Sequence, residues 1–217
     1  MGLVDLFRSG GVVMWPLLIF SLVATTLIFE RGLFWLQLYR QQDRFILQVL
    51  QLYSSHPQDA IARLRQQVQF PIARIFLAAL TLEQGTPDDF RLALESAAQG
   101  EIPLLKRFNT VFDTIIGVAP LLGLLGTILG LMESFSSLRI GEGLSDSASD
   151  VTAGIGTALV STAAGLLVAI ATLLFANLFL GLYRRQRTSI ESYSGRLELL
   201  YRQYYRQYLS RQSGAGQ

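Results

Sequence analysis

The chain has 217 residues, of which 51% are apolar and only 16% are charged, and its formal net charge is +2. A soluble domain usually carries about 25% charged residues, and three long runs without any charge account for the shortfall. This distribution excludes an ordinary water-soluble enzyme and a disordered chain. The absence of cysteine also excludes a disulfide scaffold.

The first uncharged run, residues 11–29, follows a short N-terminal segment, residues 1–10. A helix needs roughly 20 apolar residues to cross the hydrocarbon core of a bilayer, and this run just meets that length. It lacks a small-residue cleavage site and is followed directly by Glu30 and Arg31. We therefore interpret it as a retained transmembrane helix and not as a cleaved signal peptide.

Residues 30–110 have the composition of a soluble helical domain. Pro57 and Pro71 each occupy a position that suits the first turn of a helix. The segment Thr86-Pro87-Asp88-Asp89 combines a capping threonine, a proline at the first helical position and acidic residues at the positive end of the helix dipole. These signals predict several helices between the first and second membrane spans.

The second and third uncharged runs predict transmembrane helices over residues 111–132 and 151–183, joined by a short loop, residues 133–150. As a helix, the third run reaches about 50 Å, which exceeds the thickness of the membrane core. A stripe of apolar residues and tyrosines continues at helical spacing into the tail, residues 184–217. Its members are Ile190, Tyr193, Leu197, Leu200, Tyr204 and Tyr208. The predicted fold is therefore an all-α membrane protein with three transmembrane helices, a helical cytoplasmic domain and a long third helix that extends into the cytoplasm.

The distribution of lysine and arginine predicts the orientation of the chain in the membrane. Residues 31–109 hold nine of these cations and the tail holds seven, whereas residues 1–10 and 133–150 hold one each. By the positive-inside rule, the long loop and the tail are cytoplasmic, and the N-terminus and the short loop lie on the outer side. The cations are not interleaved with aromatic residues as in a nucleic-acid surface, so the lipid bilayer is the expected partner.

Small residues recur at helical spacing on the second and third spans, which predicts close helix packing in lipid. The packing candidates are Gly123, Gly126, Gly130, Gly154, Ala158 and Gly165. Thr127 and Thr162 lie on the same stripes, and Thr157 and Ser161 flank the second of them. Two interpretations stay open for these hydroxyls, which either bond to the backbone of their own helix or line a cavity that conducts ions.

Asp113 is the one ionisable candidate close to a span interior. Steps of three and four residues place it on the same face as Gly123 and Thr127, at the cytoplasmic end and about 21 Å from Thr127. It is either part of a proton pathway or an interfacial carboxylate near Lys106 and Arg107. No titratable residue lies at mid-membrane, so a chain that conducts protons must obtain the central carrier from a partner or from water.

The segments 119–132 and 154–170, with the order of spans and loops, resemble the MotA/TolQ/ExbB proton-channel family, and most closely its ExbB branch. The resemblance implies a subunit of a motor in the bacterial inner membrane. It also implies a homopentamer around the single transmembrane helices of an ExbD-like or TolR-like partner, which carries an essential aspartate. Force would pass through a TonB-like protein to the outer membrane.

The resemblance also assigns site residues. The pore-facing threonines of the family correspond to Thr127 and Thr162. Relatives often have glutamate where Thr157 stands and proline where Ala171 stands. The first departure argues against a proton relay through a pore-wall glutamate. Asp113 is a candidate to take over part of the role of that missing glutamate. The second departure predicts a straighter third helix.

The expected function is an ExbB-like subunit that uses the proton gradient to energise TonB-dependent transport. We expect an ion-driven motor and not an enzyme, without a catalytic residue, cofactor or metal site. A TolQ-like or motility-type motor of the same family and a passive membrane scaffold for a partner are the alternatives. The transported nutrient, the identity of the partner and the choice between protons and sodium ions do not follow from the sequence.

Overall fold

The structure, a computed structural model, describes residue 7 and residues 10–82, 85–136 and 144–214. Side chains at residues 40, 41, 144–153, 157, 208 and 211–214 lie outside this description. The described residues form helices without any strand, namely α1 (Met14–Ser55), α2 (Pro57–Arg65), α3 (Pro71–Leu80), α4 (Pro87–Leu105), α5 (Asn109–Ser136) and α6 (Leu144–Gly214).

Three helical stretches are long and apolar enough to cross a membrane. They are α1, the stretch Pro87–Ser136 that contains α5, and Gly154–Gln207 within α6. The predicted all-α architecture with three such helices and a long third helix is thus confirmed. α6 has 71 residues and begins at Leu144, inside the segment predicted as a short loop. The first part of that loop, residues 137–143, lies outside the described residues.

The chain divides into two compact units. The first unit consists of Met1–Gly32 and Phe108–Leu178, and the second consists of Leu33–Arg107 and Phe179–Gln217. α1 and α6 therefore contribute one segment to each unit, whereas α5 belongs to the first and α2, α3 and α4 belong to the second.

The first unit packs the beginning of α1 against α5 and α6. Leu17 of α1, Ile115 and Ala119 of α5, and Ala169 of α6 are buried in this core. Large apolar side chains such as Leu121 and Leu167 are instead exposed. A broad apolar surface of this kind indicates an environment other than water, which fits a unit built from the three uncharged runs.

The second unit has a core of the kind found in soluble proteins. Ile46, Leu64, Phe76, Phe90 and Leu197, contributed by α1, α2, α3, α4 and α6, are each at most 1% exposed. An ion pair joins α3 to α4, because Arg74 donates from Nε to Oε1 of Glu101 at 2.7 Å and from Nη2 to Oε2 at 2.5 Å. Such two-point guanidinium–carboxylate pairs hold both distance and orientation.

The predicted start of α4 is confirmed by a capping box. The Oγ1 atom of Thr86 accepts a hydrogen bond from the backbone N–H of Asp89 at 3.3 Å, and the Asp89 carboxylate accepts one from the backbone N–H of Thr86 at 2.9 Å. Hydrogen bonds from the Thr86 hydroxyl and then from its backbone N–H lower the pKa of Asp89. The cap is therefore complete above the ordinary pKa of aspartate and is lost as the pH falls through the lowered value.

The connection between α4 and α5 contains a residue in the left-handed backbone region. Phe108 has a φ of 70°, a conformation that costs a non-glycine residue free energy and persists only when its surroundings hold it. The guanidinium of Arg31 lies 5.0 Å from the centroid of the Phe108 ring. Arg31 is 5% exposed and pairs with Glu30 at 2.7 Å, so this aromatic residue covers the charged end of the first predicted span.

Candidate functional site

The backbones of α5 and α6 come into direct contact at two glycines. A Cβ atom on Gly165 of α6 would lie 2.5 Å from the carbonyl oxygen of Ala119 and 3.1 Å from Cα of Gly123. A Cβ atom on Gly123 would lie 3.0 Å from both the Ser161 carbonyl oxygen and Cα of Thr162. Neither helix can carry a larger residue here without displacing the other backbone.

The close approach continues along the two helices toward Ser134. Gly126 faces the side chain of Ser161, and Gly130 faces the Gly154 carbonyl oxygen, which a Cβ atom would meet at 3.1 Å. Ala158 is 2% exposed and lies over Gly130, while Gly154 lies against Ser134. All six small residues selected from the sequence therefore occur in one α5–α6 contact, where short backbone distances allow dense packing without a hydrophobic driving force.

A cluster of three hydroxyls lies at the centre of this contact; we call Thr127, Ser161 and Thr162 the hydroxyl cluster. The side chain of Thr162 donates to the Gly123 carbonyl oxygen at 3.1 Å, and its hydroxyl is hydrogen-bonded to that of Thr127. The Thr127 hydroxyl also lies 3.2 Å from the Gly123 carbonyl oxygen and 3.3 Å from that of Ala158. Ser161 donates to the Ala158 carbonyl oxygen at 2.9 Å.

Counting protons shows that the hydroxyl cluster has more than one hydrogen-bond arrangement. Each hydroxyl supplies one proton and two acceptor lone pairs, and the nearby carbonyl oxygens of Gly123 and Ala158 only accept. Either Thr127 or Thr162 can donate to the other, and the second then donates to a carbonyl oxygen. In both arrangements the protons of Thr127 and Thr162 are bonded inside the cluster. Because both threonines are only partly buried, a lone pair can face a group outside the cluster, and a hydroxyl proton can do so when one threonine leaves its carbonyl acceptor.

Ser161 is 0% exposed and is more central than its predicted position beside the stripe suggests. Its hydroxyl also lies 3.4 Å from the Gly123 carbonyl oxygen, so three hydroxyls surround one backbone acceptor. The sequence contains no signal for the Gly123 and Ala158 carbonyl oxygens, because every residue has a carbonyl. Only the approach of the two helices makes these particular ones part of a site.

Asp113 and Thr157 are the other two predicted site residues. Asp113 is exposed, whereas its neighbours on α5, Phe112 and Ile115, are buried. Among the described residues, the carboxylate of Asp113 has no hydrogen-bond or ion-pair partner. Thr157 belongs to α6, but its side chain lies outside the described part of the structure, so its predicted place in the pathway stays a prediction.

The α5–α6 contact falls inside a segment that matches a known family. The profile of the MotA/TolQ/ExbB proton channel family matches residues 67–192, which is more than half of the chain. The chain belongs to the MotA/TolQ/ExbB family. With its three apolar helices, this membership makes it a multi-pass membrane protein of a family whose members form proton channels.

Individual MotA/TolQ/ExbB relatives extend the similarity to most of the chain. A protein named ExbB-like 3 from Synechocystis sp. is 59% identical over 199 residues, which cover 92% of this chain and 95% of the relative. ExbB-like 1 from the same organism is 41% identical over 202 residues, covering 93% and 80% of the two chains. The biopolymer transport protein ExbB of Salmonella typhimurium is 35% identical over 108 residues, covering 46% and 43%.

Proposed function

We propose that the chain is the ExbB-like subunit of an inner-membrane motor that uses the proton gradient to energise TonB-dependent transport across an outer membrane. It acts as a homopentamer with an ExbD-like single-span partner that carries an aspartate, and its output passes through a TonB-like protein. The N-terminus is periplasmic, and the long loop and the tail are cytoplasmic. Family membership and the arginine-rich loop and tail support this assignment.

The observation that carries the proposal is the hydroxyl cluster, which lies between two helices that are otherwise mostly apolar. A protonated aspartate can face an apolar wall, whereas an ionised one requires hydrogen-bond donors or water. Thr127 and Thr162 can turn a hydroxyl proton toward an ionised partner and a lone pair toward a protonated one. The wall thus responds to the charge state of the partner's aspartate, which couples proton loading to movement of the partner helix.

Replacing Thr127 and Thr162 together with valine tests this role. Valine keeps the shape of threonine and removes the hydroxyl, so an ionised partner carboxylate loses its donors. Because a hydrogen bond to a charged group contributes about 1.5–3 kcal/mol, we expect partner-dependent proton flux into vesicles to fall by at least about tenfold. Flux is measured with a pH-sensitive dye in vesicles that contain this chain with and without its partner.

Thr172→Val is the matched control, because Thr172 is also a buried hydroxyl on α6 but donates to the carbonyl oxygen of Val168, one turn away on the same helix, at 2.7 Å. The control should retain flux, and crosslinking should show that both variants assemble with the partner. Undiminished flux in the double variant would contradict the proposed role. If vesicles that contain the partner and the wild-type chain show no more proton flux than vesicles that contain the partner alone, the chain is a passive scaffold.

We also propose that Asp113 accepts the proton near the cytoplasmic side after it leaves the partner. Asp113 is exposed on α5, about 21 Å along the helix from Thr127, so its carboxylate lies at the surface of the first unit and not in the α5–α6 contact. We expect Asp113→Asn to lower proton flux and transport about tenfold without loss of assembly. Asp113→Glu keeps the carboxylate and should restore most of the flux.

The same vesicle assay and a growth assay dependent on outer-membrane transport distinguish the outcomes. Transport that is unaltered in Asp113→Asn would make Asp113 an interfacial residue without a role in proton transfer. Loss of assembly in this variant would assign a structural role and would equally contradict an exit function.

A further inference from the structure

Ser161 differs from the two threonines of the hydroxyl cluster because its side chain is enclosed between the helices. It is 0% exposed, whereas Thr127 and Thr162 are only partly buried. A Cβ atom on Gly126 would overlap the Ser161 side chain, so α5 accepts the serine only opposite a glycine. A group outside the cluster cannot contact a hydroxyl enclosed in this way. Any chemical effect of Ser161 on an ion or a partner must therefore pass through the threonines.

Ser161 and Thr127 reach the same backbone acceptor. The Ser161 hydroxyl donates to the Ala158 carbonyl oxygen at 2.9 Å, and the Thr127 hydroxyl lies 3.3 Å from that oxygen. A carbonyl oxygen has two lone pairs, but the shorter bond to Ser161 makes it a poorer acceptor for a second donor, because the two protons repel each other. Thr127 is left with the Gly123 carbonyl oxygen at 3.2 Å and the Thr162 hydroxyl.

The Gly123 carbonyl oxygen is shared in its turn, because the Thr162 hydroxyl donates to it at 3.1 Å. While Ser161 holds the Ala158 oxygen, the two threonines have one carbonyl acceptor between them. One threonine donates to this carbonyl, and the other donates to the hydroxyl of its neighbour. Without the Ser161 hydroxyl, Thr127 is free to donate to the Ala158 carbonyl oxygen, and each threonine has a carbonyl of its own. No proton is then left for the bond between the threonines.

We propose that Ser161 is a positioning residue that keeps the hydroxyls of Thr127 and Thr162 hydrogen-bonded to each other. It does so by occupying the carbonyl oxygen of Ala158, which Thr127 would otherwise take. When one threonine of a bonded pair donates to a group outside the cluster, the other donates to it, and hydrogen bonds in such a chain strengthen one another. The hydrogen-bond order is a property of this chain alone, whereas its effect on proton flux rests on the proposed function.

The first test detects the hydroxyl protons of the full chain in lipid bilayers by solid-state nuclear magnetic resonance, with serine, threonine, alanine and glycine isotopically labelled. Couplings across hydrogen bonds identify the acceptor of each proton. In the unaltered chain, the Ser161 proton should couple to the Ala158 carbonyl carbon, and one threonine proton should couple to the Gly123 carbonyl carbon. Neither threonine proton should couple to Ala158.

The variant Ser161→Ala removes the competing donor. We expect the Thr127 hydroxyl proton to leave Thr162 and to couple to the Ala158 carbonyl carbon instead. A Ser161→Ala chain in which Thr127 stays bonded to Thr162 would overturn the proposal. An unaltered chain in which Thr127 already bonds to the Ala158 carbonyl would overturn it as well, so the test remains decisive even if the variant does not fold.

Ser134→Ala is the matched control, because Ser134 is also a buried serine in the α5–α6 contact. Its hydroxyl donates to the Gly130 carbonyl oxygen on its own helix at 2.8 Å, and it is seven residues from Thr127, or about 10 Å along α5. The control should leave the couplings of both threonines unchanged. An equal change in the two serine variants would contradict a specific role of Ser161, because loosening of the helix contact would then explain both.

The second test asks whether Ser161 acts through Thr127. In vesicles that contain the partner, we expect Ser161→Ala to lower proton flux about threefold. In a Thr127→Val chain it should cause no further loss, because no Thr127 hydroxyl remains to be redirected. A loss that adds to that of Thr127→Val would overturn the proposal. If the unaltered chain conducts no protons, the proposed motor function fails, and the resonance experiment still decides the hydrogen-bond order.

Discussion

Replacing Gly165 with alanine is expected to destabilise the chain by about 1–3 kcal/mol, even though alanine is the better helix former by about 1 kcal/mol. The added methyl would lie 2.5 Å from the Ala119 carbonyl oxygen and 3.1 Å from Cα of Gly123. Both atoms belong to the backbone of α5, so no side-chain rotation can relieve the overlap and the two helices must separate. Separation also lengthens the hydrogen bonds of Thr162 and Ser161 to the Gly123 carbonyl oxygen.

Two glycines in the same unit provide matched controls for Gly165→Ala. A Cβ atom on Gly117 of α5 or on Gly156 of α6 meets no neighbour within 4 Å. Alanine at either position should therefore leave stability unchanged or raise it. Thermal and denaturant unfolding of the detergent-solubilised chain measures all three variants. A Gly165→Ala chain as stable as Gly156→Ala would contradict the backbone contact between α5 and α6.

Replacing Phe90 with alanine is expected to lower the free energy of unfolding of the second unit by about 3–5 kcal/mol. Phe90 is 1% exposed, and its ring stacks on that of Tyr201 with the centroids 4.0 Å apart and the planes 2° from parallel. The Tyr201 hydroxyl donates to the Gly85 carbonyl oxygen at 2.7 Å, just before α4 begins. Removal of Phe90 therefore leaves a cavity between α4 and α6 and frees the tyrosine that joins them.

The exposed Leu92 on the same helix is the control for Phe90→Ala, because it is 65% exposed. Leu92→Ala should change stability by less than about 0.5 kcal/mol. Denaturant unfolding followed by near-ultraviolet circular dichroism reports on the tyrosines of α6, and hydrogen exchange reports on the amides of α4. A loss below about 1 kcal/mol in Phe90→Ala would show that α4 and α6 do not share this core.

The predicted helix starts and the long third helix agree with the structure because their causes are local. Thr86 caps α4 through atoms within three residues of it, and an uncharged run remains helical wherever its neighbours lie. The predicted stripe on the tail agrees less closely. Ile190 and Leu197 are fully buried, but Tyr204 is half exposed, and Tyr201, outside the predicted stripe, packs against Phe90. The position of Phe90 on α4 determines which tyrosine of α6 is buried.

The candidate site shows the same division between local and tertiary causes. Spacing alone identified Gly123, Thr127, Thr162 and Gly165, because small residues at helical intervals mark the face on which membrane helices meet. Spacing also placed Asp113 on that face, whereas the structure leaves it exposed beside the buried Phe112. A periodic pattern locates a face only to within the width of a side chain, and the larger apolar residues occupy the buried positions.

The sequence by itself determined the number of membrane-length segments, the helical class and the residues whose small size permits close contact. These properties depend on the composition and period of single segments. Only the tertiary structure decided that the Gly123 carbonyl oxygen lies among three hydroxyls, and that the side-chain oxygen of Gln42 accepts a hydrogen bond from Gln186. Such features arise where residues about 40 to 150 positions apart in the chain meet, because backbone atoms acquire a role only from their neighbours in space.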